Sequence, residues 1–440
     1  MMNPEIGMNR ARARLLKPVQ LKLLIWLLSL LALFLFTAAS QALSLNYDTK
    51  ILKNGIKVFY KVLPQTNSVT ARIIVPAGSL NEPHQFQGIS HLIEHLIYRG
   101  NETHTTGEFQ RTVADQGGNY NGFNFMDRTE YYLRIPAAGF APAFSLYLNL
   151  ITQPAFAEPG ITLEKKIITI EKELRNAPGN VGRLFLDELT QTRLNSSIEA
   201  ITRDDLYSYH QKFYTPQNLA VIITGAFNPD QVFQTLSELQ NISASQGAVL
   251  PERLFPEITT NKVIEDDLAG EYYQVLLGFE LKKLAGKDLL VAKALPLLAR
   301  LHPLGYDYLY DKPLNYDISL LNAGGRYYLI FCYTDYQNDY TLEMNTWHDQ
   351  NIIRYCKYLQ AKNFSRSLQS LAKSLETYYK IYALDPDYLN QFYEQILFDP
   401  TVIASSELSA FRNLKKADFK NFVSKYLENK SCQKVIVKAK

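Results

Sequence analysis

The stretch "QGISHLIEHLIYRG", residues 87–100, decides how the chain around it folds. Its apolar residues recur three and four positions apart, the spacing of a helix that buries one side. They are Ile89, Leu92, Ile93, Leu96 and Ile97. Gly100 follows at the position where a helix usually stops. The pattern therefore predicts an amphipathic helix, and that helix carries the sequence H-L-I-E-H at residues 91–95.

The five residues H-L-I-E-H predict a metal site. His91 and His95 are four positions apart, so both rings lie on one helix face and can bind one metal ion. Glu94 lies beside that face, which suits a base that acts on water. A catalytic zinc has three protein ligands and an open position for water. We expect one Zn²⁺ per chain, with Glu94 as the base.

A third ligand is available in the charged, amphipathic segment 161–176. Glu164 and Glu171 are seven residues apart, which is two helical turns and one face, whereas Glu173 points elsewhere. Either of the first two can bind the metal, and the other can orient a metal ligand by hydrogen bonding. The remaining histidines have no partner at ligand spacing, and we expect surface or core roles for them. They are His84, His104, His210, His302 and His348.

Residues 1–42 have the composition of an export signal. A basic leader precedes the apolar run 23–39, and the small residues Ser40 and Ala42 follow it. We predict cleavage after Ala42 and export to a periplasm. The alternative is an uncleaved anchor in the inner membrane that faces the periplasm. Without residues 1–42 the chain has 41 basic and 42 acidic residues, a balance that argues against a nucleic-acid partner.

The rest of the chain predicts an α+β fold of two related domains. Short strands and amphipathic helices fill residues 45–242 and again 261–440, and a loose, proline-containing linker at 243–260 separates them. The segments "DLYSYHQKFYTPQNLAVIIT" from Asp205 and "DFKNFVSKYLENKSCQKVIV" from Asp418 echo each other. This echo predicts two copies of one unit, each a mostly antiparallel sheet with helices packed on one face.

Together these motifs resemble the pitrilysin/insulinase family of zinc peptidases, which includes the mitochondrial processing peptidase. H-x-x-E-H is the zincin motif in reverse order. The segment "GGNYNGFNFMDRTEYY" (117–132) is similar to a strand region of that family. The 76 residues from His95 to Glu171 match the family's spacing to its third ligand. The resemblance covers residues 45–240 and, more weakly, the remainder, and it indicates a bacterial exported half-enzyme.

The resemblance implies a role for each matching residue. Zinc would be bound by His91, His95 and Glu171, with Glu94 as general base and Glu164 as a supporting catalytic carboxylate. The implied activity is that of an exported zinc metallo-endopeptidase that hydrolyses peptides or unfolded protein segments. The alternative is a non-catalytic subunit of the same fold that binds peptides or serves assembly.

The resemblance also implies a peptide substrate and a partner chain. Asn121 would contact the backbone of a substrate that adds to the sheet as an edge strand. The segment "LYDKPLNYDISL" (309–320) keeps Tyr316 as a substrate-binding residue but lacks the family's arginine, which Lys312 replaces poorly. Active units of the family combine two halves, and this chain supplies one. We expect either a second half-enzyme chain that is an inactive homologue or a self-dimer.

Overall fold

The structure, a computed structural model, divides the described chain between two β-sheets. It describes residues 47–175, 198–239, 261–266, 273–301, 315–323, 326–335, 364–382, 385–399, 401–428 and 432–439. The predicted leader (1–42) and linker (243–260) lie outside these ranges, so the domain boundaries remain predictions. Within the described ranges, no helix is both long and apolar enough to cross a membrane.

The first sheet has the strand order β1-β2-β6-β3-β5-β4. Its strands are β1 (Asp48–Ile51), β2 (Lys57–Val62), β3 (Ser68–Val75), β4 (Asn119–Asn124), β5 (Thr129–Pro136) and β6 (Ala220–Gly225). Neighbouring strands run antiparallel except β2 and β6, which are parallel. A turn at Asn54-Gly55 joins β1 to β2, with Ile51 opposite Lys57.

Within the described residues, six helices from the first half of the chain surround the core on one face of this sheet. They are α1 (Ile89–Leu96), α2 (Glu108–Asp115), α3 (Ala137–Thr152), α4 (Glu158–Arg175), α5 (Arg203–Phe213) and α6 (Pro229–Ser237). Strand residues alternate between the two faces of a sheet. Along β3, Val69, Ala71 and Ile73 enter this core, and Thr70 and Arg72 lie on the opposite face.

The second sheet has the order β7-β11-β8-β10-β9. Its strands are β7 (Asn261–Asp266), β8 (Tyr273–Leu281), β9 (Asn315–Ala323), β10 (Arg326–Asp335) and β11 (Gln433–Ala439). Its helices are α7 (Gly286–Leu301), α8 (Phe364–Tyr382), α9 (Pro386–Phe398), α10 (Leu408–Arg412) and α11 (Lys416–Tyr426). Strands β7 and β11 are parallel, and the other neighbours are antiparallel.

The two sheets share one topology. In each, once the extra edge strand β1 is set aside, the last strand lies between the first and the second and runs parallel to the first. The helices α5 and α11, which precede these last strands, belong to the two segments that echo each other in sequence. The predicted fold class, α+β with two related and mostly antiparallel sheets, is confirmed.

Helix α9 of the second half packs on the opposite face of the first sheet, against β3 and β6. Asn390 is fully buried there and donates from Nδ2 to the carbonyl oxygens of Thr70 (3.2 Å) and Ile222 (3.1 Å). One turn further along, Glu394 accepts a hydrogen bond of 2.6 Å from Arg128. Both faces of the first sheet are therefore covered, one by an apolar and one by a polar interface.

Candidate metal centre

Helix α1 presents its two histidines because its other faces are fixed in the core. The five predicted apolar residues are at most 1% exposed, and each histidine side chain is 16% exposed. The helix begins at Gly88, whose φ of +93° suits glycine. The buried Glu82 carboxylate accepts hydrogen bonds from the backbone N–H groups of Gly88 (2.8 Å) and Ser90 (3.1 Å). Its negative charge at a helix N-terminus is favourable.

His91, His95 and Glu171 come together as the predicted ligand group. Their ligand atoms lie within 4.8 Å of one another. The Nε2 atoms of the two histidines are 3.2 Å apart, and the Glu171 oxygens lie 3.7 Å from His91 Nε2 and 3.8 Å from His95 Nε2. Two nitrogens bound to tetrahedral zinc at about 2.0–2.1 Å would be about 3.3 Å apart. The donor set and its spacing therefore fit zinc.

Glu94 lies beside this group, as predicted for a base. Its Oε2 is 3.8 Å from Nε2 of both His91 and His95, and its side chain is 9% exposed. A Cβ added at Gly122 of β4 would overlap the Glu94 carboxylate. The carboxylate thus fills the space between the histidines and the backbone of β4.

Glu164 holds His95 from the side opposite Nε2. Its Oε2 lies 2.8 Å from His95 Nδ1, and its Oε1 accepts from Nε and Nη2 of Arg99. Burial acts to raise the pKa of Glu164, but hydrogen bonds from His95 and Arg99, with their charges, hold it below its ordinary value. Glu164 is therefore an ionised acceptor, and Glu171, not Glu164, faces the Nε2 atoms.

The surroundings of His95 favour its protonated form in the absence of a metal. Burial is the largest single influence and acts to lower its pKa, whereas the hydrogen bond with Glu164 acts to raise it. The charges of Glu94, Glu164 and Glu171 act in the same direction, so the pKa of His95 lies above its ordinary value. These three carboxylates together therefore favour the binding of a cation.

Strand β4 forms the edge of the first sheet next to the centre. It pairs with β5, and no other strand in the described ranges pairs with its second edge. Asn121 lies on this strand with its side chain exposed, opposite Tyr132 of β5. Its carbonyl oxygen accepts a 3.2 Å hydrogen bond from the buried Tyr147, whose hydroxyl also lies 2.6 Å from that of Tyr98. The predicted contact of Asn121 with substrate remains a prediction.

The other predicted residues lie away from this centre or in parts of the chain that the structure does not describe. Tyr316 is in β9, opposite Tyr333 of β10, but its side chain lies outside the described part. His210 is buried, with Nε2 2.8 Å from the carbonyl oxygen of Ile151, and burial lowers its pKa to about 4. His104 pairs with Glu108 at 2.9 Å near the surface. Outside the described side chains are His84, Glu173, His302, Lys312 and His348.

Arg99 is the site residue that the sequence reasoning did not identify. It follows His95 by four residues, so it continues the face that carries His91 and His95. That spacing was the available signal. Arginine is common at helix ends for other reasons, so the spacing alone does not distinguish it from a surface residue.

Two family models match adjoining parts of the chain. The family model described as Insulinase (Peptidase family M16) matches residues 57–200, the part that contains the metal centre. The model described as Peptidase M16 inactive domain matches residues 200–301. In fold, the chain is similar to the crystal structure of a protease from Helicobacter pylori, with a TM-score of 0.77 and 18% identity. That likeness covers 89% of this chain and 99% of the other.

Sequence relatives include zinc proteases. An uncharacterized zinc protease of Rickettsia felis is 26% identical over 250 residues, which is 53% of this chain and 59% of the relative. A probable mitochondrial-processing peptidase subunit beta of Arabidopsis thaliana is 24% identical over 200 residues, which is 43% of this chain and 37% of the relative. The matches therefore span less than two thirds of either relative.

Proposed function

Because this chain belongs to the insulinase family of peptidases, we propose that it is a zinc metallo-endopeptidase that hydrolyses peptides or unfolded protein segments. The observation that carries the proposal is the meeting of His91, His95 and Glu171, with Glu94 beside them. These are the residues needed to bind the metal and to move a proton, and all are present in one half-buried group.

The residues of the site have different roles in hydrolysis. When bound, zinc supplies Lewis acidity toward a peptide carbonyl and a water molecule of lowered pKa. Glu94 takes a proton from the attacking water and delivers it to the leaving amine. Glu164 keeps His95 turned so that Nε2 faces the metal position, because Nδ1 is engaged at 2.8 Å.

The substrate strand would add to the edge of β4. An extended peptide satisfies its backbone groups by pairing with an open sheet edge, and this mode is tolerant of side-chain sequence. The overlap of a Gly122 Cβ with Glu94 puts this edge strand in contact with the base. Asn121, exposed on the same strand, is the proposed contact for the substrate backbone, and Tyr316 is the proposed contact from the second half.

The active unit would contain a second half-chain. The segment 309–320 lacks the arginine that the resemblance leads us to expect, so another chain would supply it. An inactive homologue is favoured over a second copy of this chain. Support comes from the relative in Arabidopsis thaliana, which is described as a subunit. The partner should co-purify from the native host.

We place the protein in the periplasm on the basis of residues 1–42. The basic leader, the apolar run and the small residues before the proposed cut support export. Sequencing of the mature N-terminus tests this: a start near Leu43 in a soluble fraction supports cleavage. A protein that keeps residues 23–39 and stays in the membrane fraction would indicate an anchor.

Metal analysis combined with a peptide-cleavage assay tests the proposed activity. The purified chain, with its partner where one co-purifies, should contain about one zinc, and a chelator should abolish cleavage that added zinc restores. Glu171→Gln should lower the zinc content because it removes a charged ligand. A chain that binds no zinc at neutral pH would refute the proposal. A chain that binds zinc but cleaves nothing with its partner would favour the non-catalytic subunit.

A further inference from the structure

We propose that Arg99 is a positioning residue of the metal centre, and that it holds Glu164 in the orientation in which Glu164 fixes His95. This inference rests on the proposed function, since it concerns the same site. The two oxygens of Glu164 have separate partners. Oε2 faces His95 Nδ1 at 2.8 Å, and Oε1 receives both Nε and Nη2 of Arg99.

The fork of Arg99 restricts a carboxylate that one partner alone would leave free to turn. A glutamate side chain has several rotatable bonds, and one hydrogen bond to a histidine does not set the plane of its carboxylate. Arg99 donates through Nε and Nη2 to Oε1 while His95 Nδ1 faces Oε2, so the two partners together hold both oxygens and set that plane. Lysine, a single point charge, has no such geometry.

Arg99 is itself held through the stem of its side chain and through its backbone carbonyl. Its stem packs against α4 at Gly160, where an added Cβ would lie 3.6 Å from Cβ and Cγ of Arg99. Gly160 is four residues before Glu164, so both lie on the same face of α4. At the backbone, the carbonyl oxygen of Arg99 accepts a 2.5 Å hydrogen bond from Thr106 Oγ1. The guanidinium is therefore directed along α4 toward Glu164.

The charges of the centre point to the same role. Glu94, Glu164 and Glu171 bring three carboxylates to one half-buried group. A divalent cation leaves one negative charge, and Arg99 balances it. Because like charges repel strongly where water is scarce, this balance favours the arrangement of carboxylates that receives the metal.

The orientation of His95 follows from these contacts. An ionised Glu164 accepts a hydrogen bond from Nδ1–H of His95, which leaves the lone pair of Nε2 available to a metal ion. If Arg99 is lost, Glu164 can rotate away, and the imidazole then samples its other tautomer. Arg99 thus acts on the metal through Glu164 and His95, without touching it.

The test measures zinc affinity by chelator competition in Arg99→Met, Arg99→Lys and Glu164→Gln. We expect Arg99→Met to weaken zinc binding about 10- to 100-fold, the range for loss of an outer partner of a metal ligand. Arg99→Lys should recover part of this. In the Glu164→Gln background, Arg99→Met should have little further effect, because the two residues act as one unit. Arg111→Met, at an exposed position on α2, serves as the control.

A second measurement does not need zinc. In the metal-free protein, at a pH high enough for the His95 ring to be neutral, nitrogen-15 shifts report which ring nitrogen carries the proton. Arg99→Met should change this signature as Glu164→Gln does, with the fold intact by circular dichroism. Zinc affinity of Arg99→Met within about twofold of the wild type, or effects of the two substitutions that simply add, would overturn the inference. If the wild type binds no zinc, the proposed function fails, and the His95 signature still decides the role of Arg99.

Discussion

Two glutamates on one face of α4 have different surroundings at the metal centre. Glu164 is 3% exposed and engages His95 Nδ1 and Arg99, whereas the Glu171 side chain is 32% exposed and faces both Nε2 atoms. Their seven-residue spacing predicts a shared face. It does not tell which glutamate meets which ring nitrogen, because that depends on how α1 and α4 cross. The crossing is set by tertiary packing.

Glu94→Gln separates the proposed base from the proposed metal ligands. The amide is nearly isosteric with the carboxylate, so the fold and the zinc content should remain. Loss of the proton acceptor should lower kcat/KM for peptide hydrolysis by about 10²- to 10⁴-fold. Steady-state kinetics beside metal analysis measure both effects, with the exposed Glu102→Gln as a control. Near-normal hydrolysis by Glu94→Gln would assign the proton transfer to another group.

At the scale of elements, α1 depends on an acceptor outside the helix. The first N–H groups of a helix have no partner within it. Glu82 supplies both of its oxygens to Gly88 and Ser90, and it also accepts from the Ser90 hydroxyl. Since His91 follows Ser90 directly, this cap fixes the start of the helix that carries the metal centre.

Removal of the hydrogen bonds that Glu82 accepts should destabilise the protein and make the position of the α1 histidines less fixed. Glu82→Ala leaves two N–H groups without their acceptor in a buried place, at a cost of about 1–3 kcal/mol in the free energy of unfolding. Ser90→Ala keeps both backbone hydrogen bonds and should cost less. Chemical denaturation of the two variants measures the difference. Equal stability of Glu82→Ala and the wild type would mean that other groups start the helix.

Helical periodicity in the sequence predicted the two helices that form the site. The contact that it did not predict, between α9 and the first sheet, has a physical reason. Helices α1 and α4 have strong amphipathic patterns, and they form close to where the sequence predicts them. The packing of α9 on the first sheet had no such signal. Its buried contacts are made by Asn390 and Glu394, which a sequence pattern reads as solvent-facing. Their hydrogen-bond partners lie hundreds of residues away along the chain, so no local pattern indicates that these two side chains are buried.

At the scale of the whole molecule, buried charges join the two halves of the chain. Arg128 bonds both Glu130 of β5 and Glu394 of α9 at 2.6 Å, and Arg72 of β3 reaches Glu130 at 3.2 Å. Burial, together with a hydrogen bond to Glu130, raises the pKa of Glu394 to about 8, although Arg128 and Arg72 act to lower it. Two carboxylates and two guanidinium groups therefore share one interface.

This network should make stability depend on pH. Between the ordinary pKa of 4.5 and about 8, the folded state keeps a proton on Glu394 that the unfolded state releases. Stability from this group is therefore present at low pH and is lost as pH rises toward 8. In Glu394→Gln this loss should largely disappear. Denaturation at several pH values from 5 to about 8 measures it, with Glu238→Gln as control. A difference between wild type and Glu394→Gln that does not vary with pH would contradict the prediction.

The strand order described above also sets when the molecule can finish folding. In each sheet the last strand inserts inside rather than adding at an edge: β6 lies between β2 and β3, and β11 between β7 and β8. Within the described strands, β7 pairs with β11 alone. The second sheet therefore cannot close until residues 433–439 have been made, and pairing between strands so far apart in the chain forms slowly. A newly made chain of this design can complete its first sheet once β6 has been made, whereas its second sheet stays incomplete until β11 has been made.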